Sequence, residues 1–322
     1  MIDFKKRNFI KNMYTYAIIA SVSIAVINEK MHSTNLKFVN KDFYTMGTNG
    51  KIQAVTSEPE KVFSIAEEAI KRMNRIAELA SKFSPESDIA LLNRLYKQYN
   101  SISDDTQDLL DISNKYFELT DGYFDIGLGN ILTLSNIDKN LPLNGNYLKK
   151  KDLKNKIIDI KKNKAKIIRE NTTIDLGGIA KGYALDEAMK IFKKNKIEHV
   201  AIELGGDIKV NGGMTPNTPW VISIDNKIPT NLCNINKLIK IYSGGIALSS
   251  SYIKKSPDNN TFKHHIINPK NLKSENEYKF TLVTGENSVT CDVLATASFN
   301  MNKNEITNIK NKFKHYDIET YN

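Results

Sequence analysis

The order of helix- and strand-patterned segments constrains the fold of this chain more than any other feature of its sequence. Apolar residues at three- and four-residue spacing predict a long amphipathic helix over residues 58–83 and a second helix over 104–119. Residues 157–174 have the pattern of a hairpin, and a third helix is expected after Gly177-Gly178.

Strand patterns dominate the rest of the chain. Six such segments follow one another, at 199–203, 208–210, 220–225, 238–242, 246–250 and 279–284. A last helix is predicted over 288–301. Because strands and helices do not alternate regularly, the order predicts an α+β fold and not a doubly wound sheet.

The composition indicates a folded domain whose partner is not nucleic acid. Of the 322 residues, 40% are hydrophobic and 25% are charged, which predicts a packed core and not a disordered chain. The formal net charge is +10, but Lys, Asn and Ile are abundant throughout, and the chain has neither a DNA or RNA motif nor an Arg-rich patch. We therefore expect no nucleic acid partner.

The N-terminus has the pattern of an export segment. Four basic residues, Lys5, Lys6, Arg7 and Lys11, precede an apolar stretch over residues 14–27, as in a signal peptide or a membrane anchor. A buried core helix is the alternative. Positive charge before the apolar stretch leaves the N-terminus in the cytoplasm and the body of the protein outside. We expect a signal peptide or anchor helix at 1–30, a linker at 31–42, the body at 43–310 and a tail at 311–322.

Two glycine clusters follow predicted strands. In the run Asp175-Leu176-Gly177-Gly178-Ile179-Ala180-Lys181-Gly182-Tyr183, the glycines end a strand and open a helix. There the backbone can approach a ligand, and the unpaired N–H groups of a helix start can bind a phosphate. An ordinary tight turn explains this run equally well, and a hairpin turn explains the second cluster, Gly205-Gly206-Asp207, at least as well.

A carboxylate and a hydroxyl share one face of the last predicted helix. Asp292 and Thr296 lie four residues apart in an otherwise apolar segment. Their oxygens suit Mg²⁺, which often uses few protein ligands together with phosphate oxygens. The alternative is structural, with an acidic residue favoured near a helix N-terminus and a threonine that bonds back to a carbonyl.

A histidine pair precedes a short apolar segment in His264-His265-Ile266-Ile267-Asn268-Pro269. Adjacent residues of a strand point to opposite faces, so one imidazole can face a site as a general base while the other faces solvent. A structural role for either histidine is the alternative.

Taken together and in this order, the motifs resemble those of the FAD:protein FMN transferase family, the ApbE-like flavin transferases. The matching segments span residues 43–302, nearly the whole predicted body. They are 46–48, 81–87, 92–93, 122–125, 175–186, 204–207, 247–252, 264–269 and 292–296.

The resemblance implies a fold of two interwoven mixed α/β lobes with FAD in the cleft between them. It implies a Mg²⁺ site formed by the Ala180 carbonyl and the side chains of Asp292 and Thr296, and it implies His265 as the catalytic base. The residues that it implies in flavin or adenine binding are Met46, Phe83, Phe124, Asp125, Ile126, Gly177, Lys181 and Ile266.

The implied activity is Mg²⁺-dependent transfer of FMN from FAD to a Ser or Thr hydroxyl of an acceptor protein, with release of AMP. The implied acceptor is an exported or membrane redox protein. The implied location is the periplasmic side of the inner membrane, either anchored through the N-terminal segment or cleaved from it.

Two alternative activities stay open. One is Mg²⁺-dependent hydrolysis of FAD to FMN and AMP, and the other is flavin binding without catalysis. The second is motivated by departures from the family pattern. Asn268 stands where the family usually has Asp, and Lys270-Asn271-Leu272 stands where the family has Arg followed by Thr-Gly.

Overall fold

A seven-stranded antiparallel sheet is the framework of the fold. The computed structural model describes residues 21–25, 35–134, 153, 155–225, 237–250, 265–274 and 278–322. The strands in these residues are β1 (Ser21–Ala25), β2 (Lys37–Thr45), β3 (Thr48–Thr56), β4 (Asn100–Ser101), β5 (Ile158–Lys161), β6 (Lys164–Ile167), β7 (Val200–Leu204), β8 (Asp207–Asn211), β9 (Trp220–Asp225), β10 (Lys237–Ile241), β11 (Gly244–Ser250), β12 (Phe280–Gly285) and β13 (Asp317–Tyr321). The large sheet has the order β13-β12-β11-β8-β7-β3-β2, and the two smaller sheets have the orders β1-β9-β10 and β4-β6-β5.

The described part of the chain also contains seven helices. They are α1 (Pro59–Ala80), α2 (Asp88–Arg94), α3 (Asp104–Leu119), α4 (Gly129–Leu134), α5 (Ala180–Lys194), α6 (Ser288–Ser298) and α7 (Lys303–Lys312). The long helix α1 is amphipathic, and the apolar side chains of its inner face, such as Val62, Ala66 and Met73, are fully buried in the main core. Each large apolar side chain buried in this way contributes about 1.5–3 kcal/mol.

Helix α6 differs from α1 because it is buried on nearly all sides. It packs against α5 and against strands β11 and β12, and nine of its eleven residues are buried. A helix that is apolar around its circumference belongs in the interior of a protein. The polar side chains of α6 are therefore held inside the molecule and not at its surface.

The register of the central strands brings two turns of the large sheet to the same edge. Strand β3 pairs with β7 so that Gly50 lies opposite Leu204. The β2–β3 turn therefore lies beside the β7–β8 turn, and the N–H of Gly205 donates to the carbonyl of Asn49 at 3.0 Å. Gly205 has φ +59, and a Cβ there would lie 2.8 Å from the side chain of Thr48. Only glycine fits this turn without strain.

The prediction of a mixed α and β fold is confirmed, and most of the predicted elements are present. The four predicted helices correspond to α1, α3, α5 and α6, and the hairpin and the six strand segments correspond to β5–β6 and to β7–β12. Periodicity did not predict α2, α4, α7 or β13. These elements are short, and each presents too few apolar residues to show a period. The division into two interwoven lobes around a cleft stays a prediction.

Much of the predicted export segment lies outside the described residues. Of residues 1–30 the structure describes only 21–25, which form strand β1 and pair with β9, so these five residues are not helical as the signal or anchor prediction required. The predicted linker is also shorter than expected, because β2 begins at Lys37. Among the described residues, no helix combines the length and the apolar character needed to span a bilayer. Residues 317–321, which fall in the predicted tail, form the edge strand β13.

Candidate functional site

A cavity of about 210 Å³ opens at the N-terminal end of α5. Six parts of the chain form its walls. They are the segment around Phe124, the glycine loop that opens α5, Gly205 in the β7–β8 turn, the end of β11, the segment from His265 to Pro269, and the face of α6 that carries Asp292 and Thr296. Four of the motifs singled out in the sequence thus meet at one place.

Asp292 and Thr296 project from α6 towards the start of α5. The Asp292 carboxylate is almost fully buried, and its Oδ2 accepts a hydrogen bond from the Gly182 N–H at 3.1 Å. Thr296 lies against the glycine loop, since a Cβ at Gly178 would be only 2.9 Å from its Oγ1. Both side chains line the cavity. The structure therefore places a carboxylate and a hydroxyl beside the glycine-opened start of a helix.

Lys181 lies between two carboxylates at this helix start. Its Nζ is 2.5 Å from Asp207 Oδ2 and 3.3 Å from Asp292 Oδ2. Burial opposes the charged form of this lysine, but Asp207 and Asp292 together raise the pKa of Lys181 above its usual value. Burial raises the pKa of Asp207, while Lys181 opposes that rise and Asp292 adds to it. Lys181 therefore keeps its positive charge at neutral pH, beside the cavity that it lines.

The loop that precedes α5 is fixed by an ion pair. One oxygen of Asp175 accepts the Gly177 N–H at 2.8 Å, and the other accepts Lys82 Nζ at 2.7 Å. The Lys82 side chain is 10% exposed and lies two residues after the end of α1. This pair ties the glycine loop to the end of the longest helix, so the loop has a defined position at the cavity.

Asp125 is among the residues that line the cavity, but its carboxylate is fully buried. The Asp125 and Arg169 side chains are both 0% exposed and form two parallel hydrogen bonds of 2.7 Å. Gly127 makes room for this pair, because a Cβ there would lie 1.9 Å from Arg169 Nη2. A paired, buried carboxylate of this kind holds the segment from Phe124 to Ile126 in place and offers no charge to a ligand.

The model of the ApbE family matches residues 46–321, which is most of the chain and ends at the last residue of β13. This chain belongs to the ApbE family.

Two curated relatives are similar to this chain, one over most of its length and one over little more than a third of it. A Haemophilus influenzae protein named FAD:protein FMN transferase is 22% identical over 295 residues, which cover 86% of this chain and 84% of the relative. A Vibrio cholerae protein of the same name is 28% identical over 124 residues, covering 38% of this chain and 37% of the relative.

Solved structures of ApbE proteins share the fold. The ApbE protein of Thermotoga maritima superimposes with a TM-score of 0.74 at 23% identity, covering 88% of this chain and 94% of that one. The apo flavinyl transferase ApbE of Pseudomonas stutzeri gives a TM-score of 0.73 at 17% identity, covering 90% and 97%. At these identities the likeness establishes the architecture alone.

Several of the residues that the ApbE resemblance implied line the cavity of this chain. They are Phe124, Asp125, Ile126, Gly177, Lys181, His265, Ile266, Asp292 and Thr296. His265 is partly exposed and has a buried Nδ1, while its neighbour His264 lies outside the described residues.

Three of the implied residues do not line the cavity. Met46 lies in the β2–β3 turn with φ 49, next to the turn of Gly205, which does line it. Phe83 is 57% exposed, with Lys82 Nζ 5.0 Å from the centre of its ring. Ala180 is the first residue of α5, and its neighbour Lys181 reaches the cavity in its place.

The side-chain atoms at this site that could bind a hard cation are oxygens. Besides Asp292 and Thr296, Ser249 of β11 lines the cavity with its Oγ 3.4 Å from Thr296 Oγ1. In the described ranges of the chain, no group of three or more His, Cys, Asp or Glu side chains could hold a metal ion. One carboxylate with hydroxyls fits a hard cation such as Mg²⁺, which takes its remaining ligands from phosphate and water, and does not fit a zinc centre.

Sequence reasoning assigned no role at this site to Lys82, Asp207, Ser249 or Arg169, although the first three fall in segments that matched the family. Arg169 gave a signal, because an arginine directly after the apolar pair Ile167-Ile168 needs a partner when it is buried. The partners themselves lie 44 to 93 residues away in sequence for Arg169 and Lys82. Such pairings are set by the fold and cannot be read from spacing.

Proposed function

We propose that this ApbE-family protein transfers FMN from FAD to a Ser or Thr hydroxyl of an acceptor protein, in a Mg²⁺-dependent reaction. The acceptor oxygen forms a bond to the phosphorus on the FMN side of the pyrophosphate. The bond from that phosphorus to the bridging oxygen breaks, and AMP leaves with the bridging oxygen. The hydroxyl proton passes to the imidazole of His265.

One observation carries this proposal: the contact between α6 and the start of α5. It gathers the Asp292 carboxylate, the Thr296 hydroxyl and the Lys181 ammonium at one wall of the cavity that His265 also lines. A helix start with a neighbouring lysine favours a phosphate group. An oxygen donor set beside it suits a cation that shares those phosphate oxygens.

Each residue has a separate task in this scheme. Asp292 and Thr296 would hold Mg²⁺, with the Ala180 carbonyl as the third protein ligand that the family resemblance suggests. A bound Mg²⁺ supplies charge neutralisation at the phosphate oxygens. His265 acts as general base towards the acceptor hydroxyl, which is worth about 10²–10⁴-fold in rate. Lys181, whose Nζ lies 3.3 Å from Asp292 Oδ2, would place a positive charge beside the anionic substrate.

The proposal is tested by mass spectrometry of the acceptor. The purified full-length chain is incubated with FAD, Mg²⁺ and an exported redox protein that has accessible Ser and Thr residues. We expect the acceptor to gain the mass of FMN minus one water, and AMP to appear in equal amount. EDTA and the His265→Ala variant should both abolish the gain, while His315→Ala, which changes an exposed histidine outside the cavity, should not.

Other outcomes of the same experiment select the alternatives. AMP and free FMN without any change in the acceptor would make the protein an FAD pyrophosphatase. FAD that stays intact with Mg²⁺ present, yet remains bound to the protein, would make it a flavin-binding protein without catalysis. Either result contradicts the transfer reaction.

We also propose that the protein is exported and acts on the periplasmic side of the inner membrane. The support is the basic and then apolar pattern of residues 1–30. In fractionated cells, the body should be digested by protease only after the outer membrane is opened. A chain that lacks residues 2–20, and so keeps strand β1, should stay in the cytoplasm. Equal distribution of the two chains would contradict export.

A further inference from the structure

The first turn of α6 is capped by a side chain from another helix. Within α6, the N-cap residue Asn287 makes no side-chain capping hydrogen bond, and the first turn has no acidic residue. Asp186 of α5 supplies the cap: its Oδ1 accepts the Ser288 N–H at 3.1 Å, and its Oδ2 accepts the Val289 N–H at 2.9 Å. The first N–H groups of a helix have no partner within the helix, and a carboxylate there also complements the helix dipole.

Lys209 completes this arrangement from strand β8. Its Nζ lies 2.9 Å from Asp186 Oδ1 and donates to the Glu286 carbonyl at 2.7 Å, just before α6 begins. The Lys209 side chain is 8% exposed. The Lys209 ammonium thus pairs with the Asp186 carboxylate, whose side chain is 16% exposed.

Helices α5 and α6 are in backbone contact at Gly182, which lies one turn before Asp186 on α5. A Cβ at Gly182 would lie 2.5 Å from the Ser288 carbonyl oxygen and 2.7 Å from Val289 Cα. Gly182 is also the residue whose N–H donates to Asp292 Oδ2. Gly182 and Asp186 are one turn apart on α5, and Ser288 and Asp292 are one turn apart on α6. The helices are thus joined by two sets of hydrogen bonds, those from Ser288 and Val289 to Asp186 and the one from Gly182 to Asp292.

We propose that Asp186 is a positioning residue, which sets where α6 presents Asp292 to the start of α5. The inference rests on the proposed function, since it concerns the residues assigned there to Mg²⁺. An ordinary capping residue stabilises its helix and does nothing else. Asp186 joins α6 to α5 and β8 at once, so its loss lets the start of α6 move away from α5. Asp292 then moves relative to Gly182 and Lys181.

The first test compares two neighbouring residues of α5. Asp186→Asn and Asp186→Ala are made in the full-length chain, with Glu187→Gln as the matched control, because Glu187 pairs with Arg72 at 2.6 Å and with Lys190, away from α6. AMP release from FAD in the presence of the acceptor protein is titrated with Mg²⁺ well below each variant's Tm. We expect the Mg²⁺ concentration at half-saturation to rise about 10- to 100-fold for the Asp186 variants and to stay unchanged for Glu187→Gln. Unchanged half-saturation in the Asp186 variants overturns the proposal.

A second variant separates positioning from capping. In Asp186→Ala combined with Asn287→Asp, the new carboxylate caps α6 from its own N-cap position. We expect the double variant to recover Tm towards the parent value while the Mg²⁺ half-saturation stays raised. Recovery of both quantities would show that Asp186 acts as a cap alone, and would overturn the proposal.

A third measurement needs no turnover and so separates this inference from the proposed function. Amide hydrogen exchange is followed at single residues in the absence of FAD and Mg²⁺. We expect Asp186→Ala to lose protection at Ser288 and Val289 and also at Gly182, whose N–H bonds to Asp292. Protection that persists at Gly182 overturns the inference. If the parent protein releases no AMP, the proposed function fails, and the exchange at Gly182 still decides the role of Asp186.

Discussion

Gly178 leaves no room for a larger residue beside Thr296. A Cβ at this position would lie 2.9 Å from Thr296 Oγ1 and 3.1 Å from its Cγ2. We therefore expect the new methyl group of Gly178→Ala to displace the Thr296 hydroxyl. A shift of about 1 Å in a group at a reacting centre can lower the reaction rate about 100-fold. The Mg²⁺ concentration at half-maximal AMP release should rise by about tenfold or more, and overpacking should lower the free energy of unfolding by about 1–3 kcal/mol.

The neighbouring glycine provides the control for this prediction. A Cβ at Gly177 would meet only the Asp175 carboxylate, at 3.1 Å, and not α6. Gly177→Ala should leave the Mg²⁺ requirement unchanged, whatever it does to the affinity for FAD. If both variants shift the Mg²⁺ titration equally, the contact between Gly178 and Thr296 has no special role.

Asn268 shows how one departure from the family pattern is accommodated. Its Oδ1 accepts the Lys270 N–H at 2.9 Å, and its Nδ2 lies 3.5 Å from the carbonyl oxygen of Asn300, at the end of α6. Asn300 in turn donates to the Ile267 carbonyl at 3.2 Å. The segment that follows His265 is thus joined to the helix that contains Asp292. An aspartate at 268 could not donate and would place a buried negative oxygen against a carbonyl.

We therefore expect the family-like substitution Asn268→Asp to destabilise this protein. The loss should be about 1–3 kcal/mol at neutral pH, the usual effect of leaving a buried polar group without its partner. Urea unfolding of the full-length chain measures it, with Asn271→Asp, a less buried change in the same loop, as the control. Equal stability of Asn268→Asp and the parent would mean that the contact with Asn300 contributes nothing.

At the scale of whole elements, one arginine joins three helices. Arg72 of α1 contacts Asp105 of α3 at 2.5 Å and Glu187 of α5 at 2.6 Å. Hydrogen bonding from Arg72 lowers the pKa of Asp105. Burial opposes a similar shift at Glu187, but hydrogen bonds from Lys190 and Arg72 outweigh it and lower the pKa of Glu187. Both carboxylates are therefore ionised more readily in the folded state than in the unfolded chain.

The sign of the pH dependence follows from these directions. A carboxylate whose pKa is lowered on folding stabilises the protein above its unfolded-state pKa of about 4, and this stabilisation is lost as the pH falls below that value. We expect Arg72→Gln to lower the free energy of unfolding by about 1–2 kcal/mol at neutral pH, since the network is partly exposed. The difference from the parent protein should shrink below about pH 4.

The same helix contains a control for this prediction. Lys61 pairs with Glu58 at 3.2 Å through two exposed side chains, and Lys61→Gln should change stability by less than about 0.5 kcal/mol. Denaturant unfolding over a range of pH compares the two variants. A loss for Arg72→Gln that is independent of pH would show that packing, and not the charge network, is the source of its stabilisation.

Elements with a clear period could be predicted from the sequence, and short ones could not. Seven α1 side chains face the core at helical spacing, whereas α7 buries only Ile306 and Ile309 and therefore shows no period.

At the site too, residues paired within one element could be predicted from the sequence, and residues paired between elements could not. Asp292 and Thr296 could be paired because they are one turn apart on one helix. The contacts of Asp186 with α6, over a hundred residues later, depend on how the helices cross, and no local pattern encodes that crossing.

At the scale of the whole molecule, the C-terminal strand is connected to the site through the large sheet. Strand β13 pairs with β12, with Ile318 opposite Val283. From β12, the hydroxyl of Thr281 donates to the Ala295 carbonyl of α6 at 2.7 Å, in the same turn as Thr296. The end of the chain is therefore connected to the helix that contains Asp292 through the β13–β12 pairing and the hydrogen bond from Thr281 to Ala295. We expect the paired strands to transmit a loss of packing at the sheet edge to the rest of the fold.

The pairing of β13 with β12 predicts a loss of stability that would not occur if residues 311–322 were a tail detached from the fold. Ile318 is 1% exposed, and Ile318→Ala should lower the free energy of unfolding by about 2–5 kcal/mol, whereas Thr320→Ala, in the same strand but only partly buried, should change it far less. Trp220, the single tryptophan of the chain, lies in β9 of a different sheet and is fully buried. Its fluorescence should therefore report unfolding at the same lowered urea concentration at which circular dichroism changes. If Ile318→Ala leaves the Trp220 transition in place, β13 folds independently and the sheet does not couple the chain end to the site.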